Sequence, residues 1–150
     1  MKITYKGDYA LKTLLELALN YNKGVMSIEE LAEKGDIPKK FLEQVLLSLK
    51  KAGFVDSKRG VDGGYFLARP PEAITIGEVV RFLEGPIEPI SCAGKKDYPE
   101  CKDFPYCVFK DIWSQVAIAT SLVVDTVTFA ELVRRVGNKR NNNMVGTYYI

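Results

Sequence analysis

From Asp8 to Asn20 the chain reads Asp-Tyr-Ala-Leu-Lys-Thr-Leu-Leu-Glu-Leu-Ala-Leu-Asn. Ala10, Leu11, Leu14, Leu15 and Ala18 share one face at helical spacing, which predicts an amphipathic helix. Ser27-Ile-Glu-Glu30 opens a second helix with a capping box, in which serine hydroxyl and glutamate satisfy orphan amides reciprocally. Leu31 and Ala32 face inward there, and Gly35 ends the helix. After the turn Gly35-Asp36-Ile37-Pro38, a proline near the first helical position starts a third helix, since its missing N–H is not needed there. That helix runs over 38–52 with Phe41, Leu42, Val45, Leu46 and Leu49 on its core face and Gly53 as its stop. Lys39, Lys40, Glu43, Gln44, Lys50 and Lys51 lie off that face, together with Leu47.

The period then changes. Residues 54–57 and 64–68 read as two short strands around Lys58-Arg59-Gly60-Val61-Asp62-Gly63-Gly64, a glycine-rich hairpin loop tipped with two basic residues. Helix, helix, turn, helix and basic hairpin is the order of a winged helix-turn-helix over residues 1–71. Thr75-Ile-Gly-Glu78 opens a short helix to Glu84 inside a linker region 72–91, and a loop follows over 92–107. A long helix over 108–124 is apolar almost all round from Val116 to Val124, so it needs cover on several sides. A chain of 150 residues has little left to cover it, which predicts a subunit interface and a homodimer. Thr128-Phe-Ala-Glu131 starts a last short helix to about Val136, closing a dimerisation region 108–136, and 137–150 reads as a mobile tail. The fold class is mainly α with a small β-hairpin wing: a winged helix-turn-helix plus a long dimerisation helix.

Composition narrows the function. The chain is one domain by length and 47% hydrophobic, with no apolar run near the roughly 18 residues that a membrane span needs. The start Met-Lys-Ile-Thr-Tyr-Lys-Gly-Asp lacks a signal peptide's apolar core, so a cytoplasmic location without membrane contact is expected. Residues 1–70 hold 12 Lys and Arg against 9 Asp and Glu, hence +3, while the rest carries −1 of the total +2. Histidine is absent, which removes Cys/His zinc sites, Ser-His-Asp triads and histidine bases. With no general-base constellation and no phosphate loop, an enzyme is not expected.

Two constellations remain. On the third helix, Lys39 and Lys40 suit phosphates or guanine, Glu43 can accept from cytosine N4, and Gln44 can bridge adenine N6 and N7. Lys58 and Arg59 add the basic tip of the hairpin, where an arginine suits a narrow minor groove. These residues predict binding to double-stranded DNA, at a pseudo-palindrome if the chain dimerises. The bland alternative is a solvated helix face, or a winged helix that docks protein. The second constellation is Cys92, Cys101 and Cys107, spaced Cys-x8-Cys-x5-Cys, which holds every cysteine of the chain in sixteen residues. Structural zinc uses four ligands and a tighter knuckle. Cysteine thiolates with Gly94, Pro99 and Pro105 between them favour an iron–sulfur cluster over incidental thiols. A fourth ligand is open: Asp8, whose ordinary role would be a helix N-cap, Asp97, Glu100, Asp103 or Asp111 nearby, or a water or small thiol.

The stretches Lys6-Gly-Asp-Tyr-Ala-Leu11, Phe41-Leu-Glu-Gln44, Leu49-Lys-Lys-Ala-Gly-Phe-Val55, Arg59-Gly60, Gly63-Gly-Tyr-Phe-Leu-Ala-Arg69, Gly77-Glu78 and Glu84-Gly85-Pro86, with the three cysteines, resemble the Rrf2 family of transcriptional regulators, the group that includes IscR and NsrR. The resemblance implies that Cys92, Cys101 and Cys107 are cluster ligands, that Glu43, Gln44 and Arg59 contact DNA, and that the long helix is the dimer interface. IscR members place a histidine three residues after the last cysteine, where this chain has Lys110. NsrR-like members use an acidic residue of the partner subunit near the start of the first helix, a position that Asp8 matches. The cluster is therefore open between [2Fe–2S], which is preferred, and [4Fe–4S]. The function expected is a dimeric repressor of iron–sulfur biogenesis genes that reads cluster status. Alternatives are a nitric oxide or redox-stress sensor of NsrR type and, from other classes, a docking module or an electron carrier.

Overall fold

The structure, a computed structural model, describes residues 2–146, with only the helical backbone for 143–146. Its elements run α1 (Tyr5–Leu19), α2 (Ile28–Gly35), α3 (Lys39–Lys51), β1 (Val55–Lys58), β2 (Gly64–Leu67), α4 (Ile76–Glu84), α5 (Phe109–Thr126) and α6 (Phe129–Gly146).

Helix α1 begins three residues earlier than its apolar stripe implies. Thr4 is the N-cap: its hydroxyl accepts from the Gly7 N–H at 3.3 Å, so Asp8 lies inside the first turn and caps nothing. The Ser27 capping box is complete, the Ser27 N–H donating to Glu30 at 2.7 Å and the Glu30 N–H to Ser27 Oγ at 3.2 Å. The other two boxes are half made. Thr75 and Thr128 each accept from the expected amide, but Glu78 accepts from Arg69 and Glu131 from Arg135. A long basic side chain within reach outcompetes the cap amide for the carboxylate.

Ala10, Leu14 and Leu17 of α1 close over Leu31 of α2 and Leu42, Val45, Leu46 and Leu49 of α3, all 2% exposed or less. The hairpin pairs antiparallel, Val55 with Leu67 through Lys58 with Gly64, and Met26 bridges to Tyr65 as a further rung. A Cβ at Gly64 would fall 2.6 Å from the Met26 carbonyl, so glycine is what lets this rung close. Phe129, fully buried, plugs the core from the first turn of α6, and its N–H donates to the Ile74 carbonyl at 3.0 Å.

Two expectations need correction. Phe41 is half exposed, at 52%, because it falls at the rim of α3, where its ring meets Tyr9 at 6.3 Å between centroids instead of entering the core. The last helix does not stop at Val136. It continues to Gly146 through Asn138 and Asn141–Asn143, with nothing in the sequence after Val136 that breaks a helix except the tolerated Gly137. The segment read as a tail is thus helical to 146, and its last four residues lie outside the described residues. Helix α5 carries Phe109, Ile112, Trp113, Val116, Ile118, Leu122 and Val123 exposed, and Ala117 is its buried residue.

Candidate nucleic-acid interface and cysteine loop

Helix α3 presents Lys39, Lys40, Glu43 and Gln44 to solvent, with Leu47 73% exposed in the same band. Lys39 does not stand free. Its ammonium is paired with Glu29 of α2, which raises the lysine and lowers the glutamate from their ordinary pKa values through the shared hydrogen bond. A phosphate must compete with that carboxylate. Lys40 has no ion-pair partner among the described residues.

The wing is fastened to this helix. Lys50 of α3 donates to Ser57 Oγ at 2.5 Å and lies 3.3 Å from Asp56, both on β1. Asp56 is held below the usual carboxylate range, chiefly by the Ser57 N–H and then by Lys50. Both contacts tie the last turn of α3 to β1. Lys58 and Arg59 lie exposed at that tip. The Gly63 N–H returns to the Gly60 carbonyl at 3.0 Å, and a Cβ at Gly63 would strike the Lys58 carbonyl at 2.3 Å, so the tight loop depends on glycine.

Beside the helix lies a feature that sequence reading did not find. Tyr5, Lys6, Tyr9, Phe41, Gln44 and Val45 line an apolar groove of about 480 Å³. The available signal was the spacing of Tyr5 and Tyr9, one helical turn apart, whose rings meet at 6.2 Å.

Between Gly85 and α5 the chain makes turns with little regular structure. The Gly94 N–H donates to Ser114 Oγ of α5 at 3.0 Å, and Gly94 has φ +71°. The Cys101 N–H returns to the Tyr98 carbonyl at 3.1 Å, and one 3-10 turn spans Phe104–Tyr106. Phe104 is the loop's anchor at 5% exposure, flanked by the Tyr98 ring at 6.2 Å and the Lys110 ammonium at 4.6 Å. Lys110 is thus engaged on an aromatic face.

Cys92, Cys101 and Cys107 are free thiols and half-buried. By donor chemistry the set suits an iron–sulfur centre: soft ligands, not tied in a disulfide and not sealed in a core. Within one chain, however, no three Cys, His, Asp or Glu side chains among the described residues converge as a metal site. Asp97, Glu100, Asp103 and Asp111 complete no such group and are exposed. Asp8 lies at the other end of the chain on α1, in an ion pair with Lys12 at 2.8 Å.

A three-helix head with a basic two-stranded wing, a recognition-type helix fastened to that wing, and an uncovered apolar helix define a winged-helix DNA-binding regulator. The comparisons agree. Residues 3–135 match the model of the Rrf2 family, described as iron-dependent transcriptional regulator, and the chain belongs to that family. The HTH-type transcriptional regulator IscR of Erwinia tasmaniensis is 30% identical over 150 residues, covering 97% of this chain and 89% of that protein. The structure of CymR, the global cysteine regulator of B. subtilis, is similar with a TM-score of 0.75 at 32% identity, covering 90% of this chain and 98% of that one. The structure of IscR from T. potens is similar with a TM-score of 0.72 at 32% identity, covering 91% and 88%. These relatives are transcriptional regulators, not enzymes. Among the described residues no helix is long and apolar enough to cross a membrane.

Proposed function

We propose that the chain is a homodimeric, sequence-specific repressor of iron–sulfur biogenesis genes whose DNA affinity follows the state of a cluster on Cys92, Cys101 and Cys107. The observation that carries this reading is the three free, partly exposed thiols confined to the loop between α4 and α5, in a chain that also has a DNA-reading head. Likeness to IscR regulators supports it. When bound, an iron–sulfur cluster supplies a redox-active centre. Asp8 of the partner subunit is the proposed fourth ligand, and [2Fe–2S] the preferred form. To serve, Asp8 must leave Lys12, an exposed pair worth little and therefore readily given up.

On the DNA side, Lys40, Lys58 and Arg59 meet the backbone and the minor groove. Glu43 and Gln44 address base edges, with Glu43 rejecting sites that offer its carboxylate no donor. The uncovered face of α5 forms the dimer, which spaces two heads along a pseudo-palindrome.

A second reading has its own support. Likeness to CymR, the global cysteine regulator, over 98% of that chain supports a cysteine-responsive regulator without a cluster. Anaerobic purification with a visible spectrum and iron and sulfide assays separates the two. The first reading expects a coloured protein with iron and sulfide in equal amounts, and a colourless protein that takes up neither supports the second.

A further inference from the structure

Glu84 is the last residue of α4, one position before the Gly85 that turns the chain away at φ +87° toward the cysteine loop. Its Oε1 accepts two hydrogen bonds from Thr4, one from the backbone N–H at 3.0 Å and one from the hydroxyl at 2.7 Å. The same hydroxyl accepts from the Gly7 N–H as the N-cap of α1. Gly7 is buried, and a Cβ there would fall 2.2 Å from that same Oε1. The first turn of α1 is therefore closed around one carboxylate that belongs to the root of the cysteine loop.

That turn leads directly to the recognition helix. Tyr9, in the second turn of α1, meets Phe41 in the first turn of α3. Helix α4 is also held at two further points. Arg81 donates to both carboxylate oxygens of Asp125 of α5, the Nη2 contact with Oδ2 being 3.0 Å, and Arg69, just past the wing, donates to Glu78 at 2.8 Å. One helix thus touches α5, the segment just past the wing and the start of α1, and the chain leaves its end toward the cysteine loop.

We propose that Glu84 is a positioning residue that couples the cysteine loop to the DNA-reading head through Thr4 and Gly7. Movement of the loop's root pulls on the α1 cap, and Tyr9 carries the change to Phe41 and α3. The proposal deepens the function proposed above by naming its transmission. A row of contacts becomes a coupling only if both ends bias one element, and here that element is the first turn of α1.

The test uses the full chain and needs no cluster, so it stands apart from the question of whether one binds. Hydrogen exchange at the amides of Thr4, Gly7, Asp8 and Tyr9 is compared with the three thiols free and after alkylation by N-ethylmaleimide. In the unaltered protein, alkylation is expected to speed exchange there by about tenfold, the size expected when hydrogen bonds at a helix end are lost. In Glu84→Ala, exchange is fast from the outset and no longer responds. Gly7→Ala, which expels the carboxylate while keeping Glu84, behaves in the same way. Glu84→Gln keeps the accepting oxygen and restores the response. A merely structural role would raise exchange equally in both thiol states. No response in the unaltered protein, an intact response in Glu84→Ala, or a Glu84→Gln variant that fails to restore it would each overturn the proposal. A colourless protein from anaerobic purification would instead refute the cluster, leaving this coupling standing.

Discussion

Replacing Lys58 by Ala should flatten the salt dependence of DNA binding, and the proposed contacts set the size of the effect. In the proposed interface, cations reach DNA from Lys40, Lys58 and Arg59, whereas the charge of Lys39 is offset by Glu29 and that of Lys50 by Asp56. Two heads in a dimer then neutralise about six phosphates, which predicts a slope of log affinity against log salt of about −5. Removing Lys58 from both heads leaves about four, for a slope of about −3.6. Between 50 and 200 mM salt, affinity should fall about a thousandfold in the unaltered protein and about a hundredfold in the variant. Fluorescence anisotropy with a labelled duplex, its site first selected from random sequence, gives both slopes. Lys39→Ala is the internal control. Because the neighbouring Glu29 carboxylate offsets its charge, its loss should change the slope less than the loss of Lys58 does, while Glu29→Gln should steepen it by removing that offset. A Lys58→Ala slope equal to that of the unaltered protein would refute the assignment of the wing to the DNA backbone. A Lys39→Ala slope that flattens as much would refute the reasoning from the ion pair.

Three further outcomes are expected. Glu43→Ala should broaden the set of sites recovered by selection from random DNA, and an unchanged consensus would remove Glu43 as a filter. Phe129→Ala, at a fully buried side chain, should cost about 3–5 kcal/mol in chemical denaturation, and a loss under about 1 kcal/mol would mean that α6 does not close the core. Asp8→Ala should alter the visible spectrum of the iron–sulfur-loaded protein while its three thiols remain intact. An identical spectrum would point to another fourth ligand.

The head was legible because its rules are local. The apolar stripes of α1 and α3, the serine cap of α2 and the paired glycines of the hairpin each announce an element within a few residues. What escaped depends on distant partners. The start of α1 needs Thr4, and Thr4 is held by Glu84, eighty residues away in sequence. Phe41 looks like a core residue by period alone. It takes the position of Tyr9 across the groove to explain why it stays at the rim. Helix α6 runs on past Val136 because polar asparagines weaken a helix without breaking it, and composition read them as a tail. The cysteine loop was legible as chemistry and not as geometry. Three thiols in sixteen residues point to a shared ligand, but among the described residues no three Cys, His, Asp or Glu side chains converge as a metal site.

The measurement closest to the central claim is the affinity of one anaerobic preparation for its selected operator, taken once with its cluster and once after a chelator has stripped the iron. A sensor of the kind proposed couples the two events by about 1–3 kcal/mol, so the two dissociation constants should differ by about 5- to 150-fold. Equal constants, with the loss of iron confirmed, would contradict it: the thiols of the 92–107 loop would then hold a cluster that the reading head does not feel.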